Sequence, residues 1–365
     1  MITVLKAATP KMPRTEHVAD HLVSVAQTTS TNTLARELIT DGTLTSVLRG
    51  QEAATKSQTT DASTDGEQPS QSPACSEQSP VASAATAHIP VVVVAADLQT
   101  AGRGRLDHTW VSRPGESMTV SFVVPVPRAL AADESVNGWL QMIAGLATLD
   151  GLDKAILQSG ARANRDDCSR MLKWPNDVFV HGLKLGGILA ELVPLPCPAM
   201  TEIAESSQQG SGVSVPQSVT PTDPQTNARP EQADTVAIIF GIGLNLRLPA
   251  SNLPTPQSTS LHLHIDGLPS GEQLRDMVCA GIVSSLKRRI AEFVADPHNQ
   301  AGLVRDEVER VCWTLGRRVE AHYVDGTTLE GEAIALNADA SLTMRADDGQ
   351  THVVRTADVG VLPQQ

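Results

Sequence analysis

The stretch Leu172-Lys173-Trp174-Pro175-Asn176-Asp177-Val178 sets an ammonium, an amide and a carboxylate against a tryptophan–proline wall. Lys184-Leu185-Gly186-Gly187-Ile188-Leu189 follows it closely. A lysine ahead of two glycines brings positive charge to a place where the backbone can approach a ligand tightly. Together the two stretches describe a site for an anionic, phosphorylated ligand; the plainer reading is a hairpin with ordinary surface charges. Three further stretches weigh on the choice. Gln99-Thr100-Ala101-Gly102-Arg103-Gly104-Arg105 alternates glycine with arginine, so amides and planar guanidinium forks can converge on one anion. Ser30-Thr31-Asn32 offers hydroxyls at a helix start, and Gly241-Ile242-Gly243-Leu244-Asn245 ends an apolar run with two glycines. Taken singly, these are a helix cap and a strand bulge as readily as a ligand wall.

These residues need elements to hold them. His21 to Ala26 alternates as a strand, and Thr31 to Ile39 carries apolar residues at helical spacing, with Ser30 or Thr31 as its N-cap. Ile89 to Ala96 is a β-branched run of the buried kind leading into Gln99, and Ser117 to Val124 is a second strand. A helix is expected over 135–158, with Trp139, Ile143, Leu146 and Leu149 inward. Strands are expected over Met171–Trp174, Val178–Val180, Leu185–Leu192 and Val236–Phe240. A helix follows over Gly271–Val294 and another over Leu303–Trp313. From Arg317 onward the pattern changes to short strands with Asp-Gly turns, the spacing of a small β-barrel. The division expected is a mobile leader over 1–20, a large domain over 21–313 and a small one over 314–365. Stretches near 50–88 and 204–233 are rich in Ser, Thr, Gln and Pro and poor in large apolar residues, so they are expected as disordered surface insertions.

Composition narrows the function classes. A net charge of -13 argues against a broad basic face for nucleic acid. The five cysteines, Cys75, Cys168, Cys197, Cys279 and Cys312, never fall at C-x-x-C spacing, which speaks for a reducing compartment and against a zinc or redox site. No apolar run has the length of a signal peptide core or a membrane span, so a cytoplasmic enzyme without nucleic-acid or membrane partners is expected.

Taken in order, Ser30-Thr31-Asn32, the glycine–arginine stretch with Trp110, Lys173-Trp174-Pro175-Asn176-Asp177, Lys184-Leu185-Gly186-Gly187-Ile188-Leu189 and Gly241-Ile242-Gly243-Leu244-Asn245 resemble the biotin protein ligase family. The resemblance covers about 22–48, 89–193 and 234–313 and the C-terminal region. It implies an α+β fold: a mixed β-sheet catalytic domain flanked by helices, like class II synthetases and biotin/lipoate ligases, with a C-terminal SH3-like β-barrel. It implies ATP, Mg2+ and biotin in one pocket, biotinyl-5′-AMP as intermediate, and transfer to a lysine of a biotin carboxyl carrier domain of an acyl-CoA carboxylase. Carried over by position, Lys184, Arg103 and Arg105 would be catalytic. Ser30, Thr31, Asn32, Gln99, Gly102, Arg103, Lys184, Gly187, Gly241 and Gly243 would hold biotin. Arg105, His108, Trp110, Lys173, Asn176, Asp177 and Asn245 would face the nucleotide, with Asp177 on Mg2+. The loop Gly102 to Asp107 would be disordered without ligand, and the protein would be a monomer or weak homodimer.

The sequence departs from the family pattern at His108, where many members carry a further arginine; an imidazole is cationic only part of the time near neutral pH. Bifunctional members have a winged-helix domain of about sixty residues ahead of the catalytic one, whereas some twenty residues precede the first strand here, so operator binding is not expected. Two other readings stay open: a lipoate-type ligase or transferase of the same fold, and a non-catalytic biotin-adenylate sensor.

Overall fold

Runs of β-branched residues without polar alternation require cover on both faces, and the central sheet meets that requirement. A computed structural model describes residues 6–50, 88–106, 108–166, 168–196 and 234–362 of the chain. The insertions expected near 50–88 and 204–233 lie outside the described residues, apart from Gly50 and His88.

The chain opens with α1 (Pro13–Val18), β1 (His21–Thr28), α2 (Thr31–Thr40) and α3 (Thr45–Leu48). After the first insertion come β2 (Val92–Gln99), the short β3 (Gly102–Arg103) and β4 (Thr109–Trp110), and β5 (Ser117–Pro127). Helices α4 (Arg128–Ala132) and α5 (Gly138–Ser159) lead to β6 (Arg162–Ala163), β7 (Arg170–Lys173), β8 (Asp177–Val180) and β9 (Leu183–Pro194). Then follow β10 (Thr235–Asn245), β11 (Ile265–Asp266), α6 (Gly271–Ala295) and α7 (Pro297–Val311). The last region holds β12 (Arg318–His322), β13 (Thr328–Leu336), β14 (Leu342–Arg345), β15 (Thr351–Val354) and β16 (Asp358–Val361).

Seven strands form one mixed sheet in the order β1-β2-β5-β10-β9-β8-β7, parallel only between β1 and β2. One face, carrying Val93, Ala95, Phe122 and Phe240, packs on α5 and α6 through residues such as Trp139, Ile143, Leu274 and Ile282. The other, carrying Val92, Val94, Val123 and Ile239, packs on Ala35 and Ile39 of α2. Helix α2 covers only part of that second face, and the uncovered part becomes the floor of the site.

The leader departs from expectation. Residues 13–18 are a docked helix, because Asp276 of α6 accepts the backbone N–H groups of Arg14 and Thr15 at 3.0 and 2.9 Å and the Thr15 hydroxyl at 2.9 Å. A carboxylate there satisfies amides that a helix start cannot pair internally. A short polar segment read as mobile is thus held by a partner more than 250 positions away.

The C-terminal strands form an antiparallel sheet in the order β15-β14-β13-β12-β16. Its edges, β15 and β16, do not pair with each other among the described residues, so the expected barrel is not closed. Strand β16 went unread in the sequence: Asp358-Val359-Gly360-Val361 is too short for alternation to register. Two indole N–H groups tie this sheet to the main body, Trp139 to Ala338 O at 2.6 Å and Trp174 to Ala340 O at 2.9 Å. No helix of the described residues is long and apolar enough to cross a membrane.

Candidate active site

The floor of the site follows from strand register. Residues directly opposite in an antiparallel pair share a face, and along each strand that face recurs every second residue. One row across the sheet is Val123, Ile239 and Glu191, the next Ser121, Gly241 and Leu189, the next Thr119, Gly243, Gly187 and Asp177. Under the body of α2 the row is largely apolar; beyond its first turn the side chains shrink to glycine. A Cβ on Gly241 would meet Asn32 Oδ1 at 2.2 Å, and one on Gly243 would meet the Trp110 indole at 2.4 Å. The glycines therefore admit Asn32 and Trp110 onto the sheet, a closer purpose than the direct ligand wall expected of them.

Lys184 reaches this floor by a break in register. Strand β8 pairs Asp177 with Gly187 and Val178 with Gly186, then shifts so that Phe179 opposes Lys184. Strict alternation would place Lys184 on the face opposite Gly187. The shift turns Leu185 into the helix-side core and Lys184 toward Asp177, with Nζ 2.8 Å from Oδ1. Backbone bonds hold the shifted residue from both sides, Lys184 N to Gln257 O and Thr259 N to Lys184 O, each 2.8 Å.

The wall opposite is the ribbon of β3 and β4 with its turn, closed by Gly104 N to His108 O at 2.6 Å. Gly102 to Leu106 follows a defined course, and Asp107 lies outside the described residues. Arg105 Nη1 lies 3.3 Å from Asn176 Oδ1, and Asn176 in turn donates to Ile188 O. Burial lowers the Arg105 pKa from its ordinary value, against the pull of Asp358 and Asp177. The Trp110 indole N–H is buried without a partner among the described residues.

Helix α2 enters from the third side. Ser30 holds the N-cap position, but its hydroxyl makes no capping bond. Gln99 Oε1 takes that role in trans, accepting from Thr31 N at 2.7 Å and lying 3.1 Å from Thr31 Oγ1.

A cavity of about 100 Å3 lies between these walls. Of the residues singled out in the sequence, Ser30, Thr31, Asn32, Gln99, Arg103 and Arg105 line it, as do His108, Trp110, Asn176, Asp177 and Lys184. Gly187, Gly241 and Gly243 form the floor. Asp358 of β16 also lines it, and nothing local in the sequence signalled that. Gly102, Lys173 and Asn245 do not line it. A Cβ on Gly102 would strike Trp110 O at 2.4 Å, so this glycine serves the ribbon's own pairing. Lys173 lies 5.6 Å from the Phe179 ring centroid and 3.7 Å from Asp177 Oδ2. Asn245 is buried, and its Nδ2 donates to Thr259 O at 3.0 Å, which steadies the segment holding Lys184.

Residues 84–197 match the model of the biotin/lipoate A/B protein ligase family. Over 109 residues the chain is 39% identical to the biotin–[acetyl-CoA-carboxylase] ligase of Mycobacterium tuberculosis, covering 30% of this chain and 37% of that protein. Over 261 residues it is 29% identical to the bifunctional ligase/repressor BirA of Bacillus subtilis, covering 70% of this chain and 62% of that one. Over residues 84–197 the chain is thus similar to biotin protein ligases. It spans less than two thirds of the length of these curated relatives. Among solved structures it is similar to the biotin protein ligase from Aquifex aeolicus in complex with biotin and ATP, at 18% identity and a TM-score of 0.47, over 75% of this chain and 89% of that one.

The resemblance implies Mg2+, for which Asp177 was the expected ligand. The carboxylate fits that role poorly: it sits between the ammonium groups of Lys184 and Lys173, and two cations leave little of its charge for a third. Among the described residues, no group of three His, Cys, Asp or Glu side chains is arranged to hold a metal. No step below is routed through one.

Proposed function

We propose that this chain attaches biotin to a lysine of a biotin carboxyl carrier domain through biotinyl-5′-AMP. In the first step a biotin carboxylate oxygen forms a bond to the α-phosphorus of ATP, and the bond from that phosphorus to the bridging oxygen breaks to release pyrophosphate. In the second, the neutral ε-amine of the acceptor lysine attacks the acyl carbon. The amine loses a proton and AMP departs with the electron pair of the acyl–oxygen bond.

The first step builds negative charge on the α-phosphate and departing pyrophosphate oxygens and the second on the acyl oxygen and the oxygen that leaves with AMP, so fixed cations aimed at these oxygens lower the barrier most. The observation that carries this reading is the convergence of Lys184, Arg103 and Arg105, from segments far apart in the chain, on one cavity above a glycine floor. In this reading Lys184 lies on the bond being made and broken, Arg105 with Asn176 faces the phosphate, and Arg103 closes over the carboxylate. Thr31, Gln99 and the first-turn amides of α2 take the polar ring of biotin, and the unpartnered Trp110 N–H supplies a donor to the bound intermediate. The cavity of about 100 Å3 shares Arg105 and Asn176 with a neighbouring cleft of about 860 Å3, which gives the nucleotide room beyond the glycine floor. The β3–β4 ribbon lies over the cavity, and covering the adenylate there would keep water from the mixed anhydride.

Purified protein with ATP and either biotin or lipoate, read by pyrophosphate release, tests the first step. Mass spectrometry of a biotin carrier domain tests the second. Release with biotin and a single biotinyl increment on one lysine are expected. Release with lipoate alone would assign the chain to the other branch of the family, and adenylate formation without transfer would make it a sensor.

A further inference from the structure

Glu191 stands in none of the motifs and does not line the cavity, yet two other segments of the site, α2 and the ribbon, meet on it. It occupies the row of Ile239 and Val123, beneath α2, where a carboxylate is costly unless paired. Its side chain is 14% exposed. Glu191 Oε1 accepts from Asn32 Nδ2 at 3.0 Å and pairs with Arg103 Nη2 at 3.0 Å, while its other oxygen pairs with Arg36 on the next turn of α2. Arg103 Nη2 also lies 3.3 Å from Thr33 Oγ1.

The contacts continue inward. Asn32 Oδ1 is 2.6 Å from Ser121 Oγ, Ser121 Oγ is 2.8 Å from Thr31 Oγ1, and Thr31 bonds Gln99. Asn32 Nδ2 donates to Glu191 and Leu189 O, so this amide links the carboxylate to the cavity wall. One connected set of polar groups thus runs from the arginine of the ribbon to the far wall of the cavity. Two guanidinium groups on one carboxylate leave a net positive charge, so Arg103 is anchored without being neutralised toward an incoming anion.

We propose that Glu191 is a positioning residue that fixes Arg103 at the cavity rim and couples it to the wall formed by Asn32, Ser121 and Thr31. Arg103, 45% exposed on a two-residue strand, has little else to restrain it. A guanidinium already in place costs no further ordering when the carboxylate arrives, and it holds the acyl-adenylate once formed. This inference rests on the adenylate-forming function proposed above.

The test compares full-length wild type, Glu191→Gln, Arg103→Met and the double variant, with biotin and ATP. The readouts are pyrophosphate release at varied biotin and the lifetime of enzyme-bound adenylate. Glu191→Gln is expected to raise KM for biotin and shorten the adenylate lifetime about tenfold each, the range for a lost hydrogen bond to a charged group, and to leave KM for ATP unchanged. In the Arg103→Met background the same substitution should change either quantity less than about twofold, because coupled residues are not additive. Glu191→Asp, which keeps the charge with a shorter reach, should move both readouts the same way by less, and it stands in should the Gln variant fail to fold. Wild-type kinetics in the Glu191 variants, or additive effects in the double variant, overturn the positioning role. Absence of adenylate in the wild type overturns the function itself, a separate result.

Discussion

At Lys184 the side chain's direction comes from a register shift between β8 and β9, and its partner Asp177 is shared with Lys173 at longer range. Removing the ammonium deletes charge from the centre of the cavity while leaving the backbone clasp by Gln257 and Thr259 intact. Lys184→Met is therefore expected to lower pyrophosphate release about 100-fold or more, the scale of one lost transition-state donor, with the far-ultraviolet spectrum unchanged. His108 presents the opposite case. It is exposed on the ribbon's turn and lines the cavity. His108→Arg adds a fixed charge where phosphate would sit, so release at pH 7 should be retained or raised up to about tenfold. A large loss would show that the imidazole has another task.

Among the elements, the segment from Gln257 to His264, whose regular structure is one 3-10 turn over Leu261–Leu263, carries more of the site than its length suggests. Thr259 bonds the Lys184 carbonyl through its N–H, and its hydroxyl lies 2.6 Å from His264 Nε2. Burial, then the charges of His181, Arg165 and His262, hold the His264 pKa below its ordinary value. The folded chain thus binds a proton here less readily than the unfolded chain does. Stability from this residue is complete above the unfolded imidazole value, about 6.5, and is lost as pH falls from there through the lowered folded value. Melting temperature followed from pH 8 to 5 should fall less for His264→Gln than for wild type. Equal slopes would show that His264 is not the group responsible.

At the scale of the molecule, the C-terminal sheet is part of the site, because β16 brings Asp358 to the cavity wall. Apolar residues of that sheet, Leu336 and Leu342 among them, share one core with the main body, and two indole N–H bonds to one turn, from Trp139 and Trp174, join it there, with Trp174 N bonding Thr314 Oγ1 at 2.8 Å. Trp174→Phe removes one of these and leaves Ala340 O without its donor. The expected cost is about 1–3 kcal/mol in chemical denaturation. Faster amide exchange over 336–345 and a weaker response of pyrophosphate release to ATP should accompany it. Exchange confined to residues near 174 would separate the sheet from the site.

Local patterning was enough for much of this. Helix α2 and the long helices α5 and α6 follow from apolar spacing. The continuous apolar runs of β2 and β10 announce strands covered on both faces, and the glycine–arginine and Lys-Trp-Pro-Asn-Asp stretches name a family. Those signals are short-range: a repeat of 2 or 3.6 residues, or a motif read within one segment. The side to which Lys184 turns, Gln99 as the cap of α2, Asn245 as a brace and not a ligand group, Glu191 beneath Arg103 and Asp358 at the rim were decided only in three dimensions. The contacts join residues from 14 positions apart, Asn245 and Thr259, to 88, Arg103 and Glu191, and the register shift at Lys184 reverses the face of a residue without altering the alternation on either side of it.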